Sequence, residues 1–384
     1  MNKTAVAEKG LSAVGTPFLA LDRDRMDRNI SRLGTRLERL GVPLRPHVKT
    51  PKSVDVALRM CGGRIQPVTV STLREAEVFA DAGFTDQVYA VGIAPAKLDR
   101  VAALRARGAD ITVLLDSVVQ AEAVADASRR HGRPIPALIE IDSDGHRSGL
   151  AADDPLVVTI AERLADGGAE PRGVLVHAGG SYACRTPAAL AAAAEAERTA
   201  AVTASDRIRA TGLPAPIVSV GSTPTAHFAT SLDGVTEVRA GVYVFMDLVM
   251  AGIGVCSVDD IALSVAATVI GHRADRGWII TDAGWMALSR DRGTVAQEVD
   301  QGFGLVAATD GTVYPDLIVS ATSQEHGILS MRPGSAAPLP DLRVGARVRI
   351  FPNHACATAA QFDRYHVADG DGALIDIWPT ISGW

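Results

Sequence analysis

The sequence predicts an α/β protein: a (β/α)8 TIM-like barrel followed by a second, mostly-β domain. Two observations predict the barrel and a third predicts the second domain. Between residues 44 and 245, short β-branched runs alternate with Ala-, Leu- and Arg-rich stretches of helical character, the rhythm of a parallel sheet with crossover helices. Eight such units fall within roughly 200 residues, which suits a closed barrel better than an open doubly wound sheet. After about Met250 the long helical stretches stop and strands follow one another.

Taken in order, the eight barrel strands are Leu44 to Val48, Arg64 to Val70, Gln87 to Val91, Ile111 to Leu115, Pro136 to Ile141, Gly173 to His177, Ile217 to Val220 and Thr236 to Arg239. The stretch Ala188 to Ala201 between the last strands is Ala-rich and reads as a surface helix. Beyond Met250 come Ala262 to Gly271, Gly277 to Asp282, Leu317 to Ala321 and Arg347 to Phe351. An early strand, Pro17 to Asp22, precedes the first barrel helix and could pair with these, making the second domain discontinuous. The expected division is residues 23–250 for the barrel and residues 1–22 with 251–384 for the β domain.

The chain has 384 residues, 47% hydrophobic and 21% charged, enough to fill more than one core. Its net charge is -6 and no run of like charge stands out, so the electrostatic footprint of a nucleic-acid binder is missing. No stretch of about 18 uninterrupted apolar residues offers a membrane span, and Met1 to Lys9 lack the apolar core of a signal peptide. The expected partners are small molecules, with no nucleic acid and no membrane, in a cytoplasmic location. Cys61, Cys184, Cys256 and Cys356 are far apart and form no CxxC or zinc-ribbon spacing, which argues against a disulfide framework. Three of them read as small buried apolar residues; Cys356 has a different context.

In such a barrel the chemistry gathers at the C-terminal ends of the strands. The first strand ends in His47-Val48-Lys49, and alternation along a strand puts His47 and Lys49 on one face. A lysine at a loop start is most often simply solvated; the adjacent His47 and Lys52 shift the balance only moderately toward chemical use. The seventh strand runs into Gly221-Ser222-Thr223-Pro224-Thr225, whose backbone N–H and hydroxyl groups can face a dianion. Loops after strands seven and eight are the habitual phosphate site of these barrels, although an ordinary Gly-Ser-Thr-Pro turn is about as common. Lysine at one strand end with a phosphate cup at another says more than either alone: it suggests a phosphorylated cofactor held covalently.

The fifth strand continues into Ser143-Asp144-Gly145-His146-Arg147, and the sixth ends in His177-Ala178-Gly179-Gly180-Ser181-Tyr182. Arg147 could donate a hydrogen bond to a pyridine nitrogen, and His177 or Tyr182 could contact the ring or phosphate; a purely structural polar role is an even alternative for each. In the β domain, Ser323 to Gly327 and Pro352 to Thr358 are the richest segments. His354 and Cys356 are two apart, hence on one side of an extended segment, and imidazole with thiolate suits zinc or another borderline transition metal. A lone HxC is a weak motif that chance explains in most proteins.

The chain resembles the fold-type III pyridoxal-phosphate family that contains D-serine dehydratase and D-threonine aldolase. The resemblance runs from Thr16-Pro17 to Gly383-Trp384. It is carried by RPHVKT at 45 to 50, VSTLREAE at 70 to 77, EIDSDGHRSG at 140 to 149, HAGGSY at 177 to 182, VSVGSTPTA at 218 to 226, EVRAGVYVFMD at 237 to 247, DAGWMALSRDRG at 282 to 293, QEHG at 324 to 327 and PNHACAT at 352 to 358. It implies an alanine-racemase type barrel holding pyridoxal 5′-phosphate, with Lys49 as Schiff base and as the base for the α-proton. His47, Thr72, Arg147, His177, Tyr182, Gly221, Ser222, Thr223 and Tyr243 are the implied cofactor contacts. It also implies a divalent metal (zinc, manganese, cobalt or nickel) on His354 and Cys356 near the cofactor, with Gln324, His326 and Ser289 as weaker substrate contacts. One departure is Pro51, where many relatives read HVKTHK.

Aldolases of the family carry His-x-Asp where this chain reads His-x-Cys, so the resemblance favours dehydration over carbon-carbon cleavage. The implied substrate is a D-configured β-hydroxy amino acid, foremost D-threo-3-hydroxyaspartate giving oxaloacetate and ammonia. His146, Ser289, Arg290 and Arg292 are unranked candidates for a side carboxylate. D-Serine dehydration and D-threonine or 3-hydroxy-D-aspartate aldol cleavage are the alternatives, ahead of a racemase or a non-catalytic cofactor carrier. The family suggests a homodimer.

Overall fold

The computed structural model describes residues 10–384; Met1 to Lys9, where a signal peptide was sought, lie outside the described residues. By its internal contacts the chain divides into two units. One comprises Arg32–Gly241 and Ile381–Trp384; the other comprises the chain up to Ser31 and Val242–Thr380.

In the first unit, eight parallel strands form one sheet: Leu44–Pro46, Val68–Val70, Asp86–Gly92, Asp110–Leu115, Pro136–Ile141, Glu170–Val176, Ile217–Val220 and Glu237–Ala240. The eighth returns to the first, with Val238 opposite Leu44. The first and second meet through a bridge between His47 and Thr69, where the Val48 N–H donates to the Thr69 carbonyl at 2.9 Å. This bridge nearly closes the expected (β/α)8 barrel. The second strand starts at Val68 rather than Arg64; Pro67, at its entrance, has no N–H for a ladder. Hydroxyl caps start the crossover helices: Thr72 Oγ1 accepts from the Glu75 N–H at 3.0 Å, and Thr186 Oγ1 from the Ala189 N–H at 3.1 Å.

The buried cluster Val88, Leu114, Leu138 and Leu175 packs with Ala90 and Ile217. Glu140 follows Leu138 and Ser219 follows Ile217 by the two-residue strand period, so a polar layer succeeds the apolar one. Arg45 donates to Glu237 and to Asp86, each at 2.7 Å; Ser219 Oγ donates to Glu237 at 2.6 Å. Arg239 donates to Ser219 Oγ at 2.5 Å and to the Val176 carbonyl at 2.6 Å. Burial pulls the Arg239 guanidinium down to about 10, against the opposing pull of Glu237 and Glu197. Interiors of these barrels are usually filled with branched apolar residues, so this charged layer is a departure that strand patterning did not anticipate.

In the second unit, nine strands form a sheet: Phe18–Asp22, Leu263–Arg273, Trp278–Thr281, Leu305–Ala307, Val313–Thr322, Gly327–Met331, Arg347–Phe351, Arg364–Ala368 and Leu374–Pro379. The sheet closes into an antiparallel barrel because Leu263–Arg273 pairs with both Trp278–Thr281 and Arg347–Phe351. Phe18–Asp22 lies antiparallel to Leu263–Arg273, with Phe18 opposite Ala266, and parallel to Arg364–Ala368. Among the described residues no helix is long and apolar enough to cross a membrane.

Candidate active site

The first barrel strand ends at Pro46, and residues 48–51 form a turn in which the Lys52 N–H donates to the Val48 carbonyl at 2.8 Å. Lys49 therefore sits on a turn and not on the strand. Its nearness to His47 comes from that turn, where the Lys49 N–H lies 3.4 Å from His47 Nδ1. The two neighbouring lysines have different surroundings. Lys52 Nζ pairs at 2.5 Å with the fully buried Glu75, which also accepts from the Ser71 N–H at 2.7 Å. Lys49 is half-buried, and its amine has no hydrogen bond or ion pair among the described residues.

Two imidazoles lie within electrostatic reach of Lys49. Burial, then the charges of Lys49, Arg239 and His177, hold His47 well below its ordinary value. Burial pushes His177 down to about 3, with Lys49, Arg239 and Arg147 adding to it and the hydrogen bond at Gly221 opposing. Both rings are therefore neutral near pH 7. His177 Nδ1 lies 2.9 Å from the Gly221 carbonyl, which can only accept, so the proton is on Nδ1 and Nε2 keeps a lone pair.

Gly221 adopts φ +145°, and a Cβ there would lie 2.0 Å from the Arg239 carbonyl oxygen, so only glycine fits. Ser222 caps the short helix Thr223–Phe228 in a reciprocal pair with Thr225, and its hydroxyl lies 3.0 Å from that of Ser181. The Gly221 N–H goes to Glu197 at 3.0 Å and the Ser222 N–H to Thr225 Oγ1 at 3.0 Å. The first two amides of the turn are thus taken by protein partners. Glu197, which sequence reasoning missed, holds the turn; its signal was an acid on a helical stripe otherwise without charge.

Tyr182 lies in the turn Gly179–Ala183, its ring centroid 6.4 Å from that of His177. Arg147 is exposed, 3.3 Å from the buried Glu140. Thr72 is buried as the helix cap described above. Lys49, His47, His177, Gly221 and Ser222 are thus gathered at the ends of the first, sixth and seventh strands, with Arg147 at their margin. Tyr243 is fully buried in the second unit, in the single turn Val242–Val244.

Also in the second unit, His354 has an extended backbone and caps the helix Ala355–Ala359, so Cys356 stands in the first turn of that helix and not on an extended segment. The two side chains nevertheless hydrogen-bond. Burial disfavours a charged His354, but Cys356 and Asp291 outweigh it and push the ring up to about 11. Asp291 Oδ2 lies 2.9 Å from His354 Nδ1, and the buried Asp247 accepts from the Ala355 N–H at 3.0 Å. Ser289, at φ +70°, accepts from the Asp291 N–H at 3.2 Å and so steadies that loop. Arg292 pairs with Asp300 at 2.6 Å, while Arg290 lies over the Trp285 ring. Gln324 and His326 are on an exposed turn fastened to the helix Trp285–Leu288 by the Trp285 and Met286 N–H groups. Among the described residues no three His, Cys, Asp or Glu side chains form a metal-holding group by themselves.

A parallel barrel whose mouth carries a lysine without a partner among the described residues, together with an antiparallel barrel, defines the class. The chain belongs to the family described as "Alanine racemase, N-terminal domain", matched over residues 21–249, and the model "Putative serine dehydratase domain" matches residues 262–368. It is 53% identical to the D-threo-3-hydroxyaspartate dehydratase of Delftia sp., over 97% of this chain and 99% of that protein. The structure of that Delftia protein superposes with a TM-score of 0.95 over 98% of this chain and 100% of the other. Two variants solved under the same enzyme name, each 52% identical with a TM-score of 0.95, replace a histidine and a cysteine two positions apart by alanine; the cysteine variant is in a metal-free form. The D-serine dehydratase of Schizosaccharomyces pombe is 31% identical over 98% of this chain and 94% of its own length. The D-threonine aldolase of Filomicrobium marinum is 28% identical, with a TM-score of 0.82 over 97% of this chain and 96% of that one.

Proposed function

We propose that this protein is a pyridoxal-phosphate- and metal-dependent dehydratase, an ammonia-lyase that converts D-threo-3-hydroxyaspartate to oxaloacetate and ammonia. The observation that carries this reading is the 53% identity over 97% of the chain to a dehydratase of that specificity. The local chemistry supports it. A lysine amine without a partner, two neutral imidazoles and a glycine cradle that a Cβ would fill suit an aldehyde cofactor with a phosphate. An imidazole held by a carboxylate and touching a thiol suits a divalent metal, and the spacing of His354 and Cys356 matches that of the two residues replaced in the solved variants.

When bound, pyridoxal phosphate supplies a carbonyl that amines attack and a ring that takes up the electron pair left at Cα, while the metal supplies Lewis acidity toward a hydroxyl oxygen. Lys49 would hold the cofactor through its amine, and with substrate bound its Nζ would stand where it can take and hold the α-proton. His177 adds no charge beside it and offers a lone pair at Nε2. His47, Thr72, Arg147, Tyr182, Gly221, Ser222, Thr223 and Tyr243 make up the cofactor's surroundings. His354 and Cys356 would hold the metal in place of the proton they share; Asp291 fixes the Nδ1 proton of His354 and so directs Nε2 to ligate. Loss of the α-proton and of hydroxide from Cβ yields an enamine, which hydrolyses to the keto acid and ammonia.

In this reading residues 23–250 bind the cofactor and residues 1–22 with 251–384 carry the metal. Zinc, manganese, cobalt or nickel fits the donor pair. Gln324, His326 and Ser289 are substrate contacts, and the enzyme is a cytoplasmic homodimer. Assay of metal-loaded holoenzyme with D-threo-3-hydroxyaspartate, D-serine and D-threonine tests it. Equal yields of oxaloacetate and ammonium from the first, at the highest rate, are expected. Glycine with glyoxylate would make the enzyme an aldolase, and faster release of pyruvate from D-serine would make it a D-serine dehydratase.

A further inference from the structure

The helix Pro187–Ala210 buries Leu190, Ala194, Glu197, Ala201, Ala204, Ser205 and Ile208. Five of these are apolar and one is a serine; the single ionisable member is Glu197, with 2% exposure. A buried carboxyl is costly unless hydrogen-bonded, and an alanine would have satisfied the stripe. One oxygen of Glu197 accepts from the Ala178 N–H at 2.9 Å and from the Gly221 N–H at 3.0 Å. Ala178 follows the sixth barrel strand and Gly221 the seventh. The Gly221 carbonyl in turn accepts from His177 Nδ1 at 2.9 Å, and Ser181 and Ser222 join their hydroxyls at 3.0 Å. Two strand-end loops are thereby closed into one hydrogen-bonded ring, with Glu197 as the element supplied from outside the loops. Burial raises the carboxyl's affinity for a proton, against the Thr225 hydroxyl, the Ala178 and Gly221 N–H donors and Arg239, so a neutral acceptor of the same shape would serve the two N–H groups there.

Building on the cofactor reading above, we infer that Glu197 is a positioning residue for the cofactor's phosphate, holding the loop at Ala178 and the loop at Gly221 in the register that grips it. It touches no reacting atom. Losing the hydrogen bonds that set this register should weaken phosphate binding at least about tenfold.

The test is titration of apoprotein with pyridoxal phosphate and, separately, with pyridoxal, followed by the visible absorption of the bound form. E197A should weaken pyridoxal phosphate at least about tenfold while leaving pyridoxal, which lacks the phosphate, within about twofold of wild type. E197Q keeps an oxygen for both N–H groups and should bind pyridoxal phosphate nearly as wild type does. E197D, drawn back by one methylene, should resemble E197A, and it reads the same effect should E197A not fold. Equal loss of both ligands, no loss of either, or failure of E197Q to restore binding would overturn the assignment. Wild-type protein that shows no visible absorption with either ligand would instead overturn the cofactor reading on which it rests.

Discussion

Asp291 and His354 stand 63 residues apart in the chain and meet through a 2.9 Å hydrogen bond between Oδ2 and Nδ1. A carboxylate on one imidazole nitrogen fixes the tautomer and raises the basicity of the other, the arrangement that outer partners of metal-bound histidines adopt. Substituting such partners typically weakens metal affinity by about 10- to 100-fold. D291A should therefore need that much more free metal for half occupancy, read by competition with a chromophoric chelator; unchanged affinity would remove Asp291 from the metal's support.

Lys49 and the metal pair have separable readouts. K49A reconstituted with pyridoxal phosphate should lose the visible absorption of the lysine-bound cofactor along with turnover. Chelation of the wild-type enzyme should remove turnover and leave that absorption. Activity that persists in metal-free protein would take the metal out of the reaction.

The charged layer of the parallel barrel gives a stability prediction. Arg45 and Glu237 have side-chain exposures of 7% and 11%, and Ser219 and Arg239 complete the network. Removing one partner of a buried pair costs up to about 3–5 kcal/mol; here Arg45 keeps the half-exposed Asp86, while Arg239 loses the nearest carboxylate, so the cost lies toward the lower end of that range. E237A should lower the urea unfolding free energy by about that amount. A loss below about 1 kcal/mol would mean that water relieves Arg45 and Arg239.

The neutral imidazoles set a pH dependence. His177, held at about 3, and His47, held well below its ordinary value, bind protons less readily folded than unfolded, where imidazole titrates near 6.5. The unfolded chain takes up more protons between those values. The stability these rings contribute is complete above about pH 6.5 and is lost as pH falls toward about 3. The urea midpoint of cofactor-free protein should drop between pH 7 and pH 5, and H177N should flatten that slope. A slope that H177N leaves unchanged would show that His177 takes up its proton as readily in the folded chain as in the unfolded one.

Strand rhythm and local words carried most of the fold. All eight barrel strands were legible because most are short β-branched runs between turn residues, and the two that are not, Leu44–Pro46 and Glu237–Ala240, fall where the βα rhythm calls for a strand. In the second unit, Leu305–Ala307, Gly327–Met331, Arg364–Ala368 and Leu374–Pro379 went unread, since three to six residues with mixed polarity carry little periodic signal. The helix at Ala188 to Ala201 was legible as a helix, but its buried stripe was not.

By itself the sequence determined the barrel, the lysine after the first strand and the His354–Cys356 pair, since each is written within a few neighbouring residues. Only the tertiary structure decided who meets whom. It placed Lys49 on a turn beside two neutral imidazoles, and it put Cys356 in a helical turn beside His354. It joined Arg45 to Glu237 across 192 residues and Gly221 to Glu197 across 24. A hydrogen bond between groups distant in the chain leaves no local pattern; it exists only where packing holds donor and acceptor about 3 Å apart.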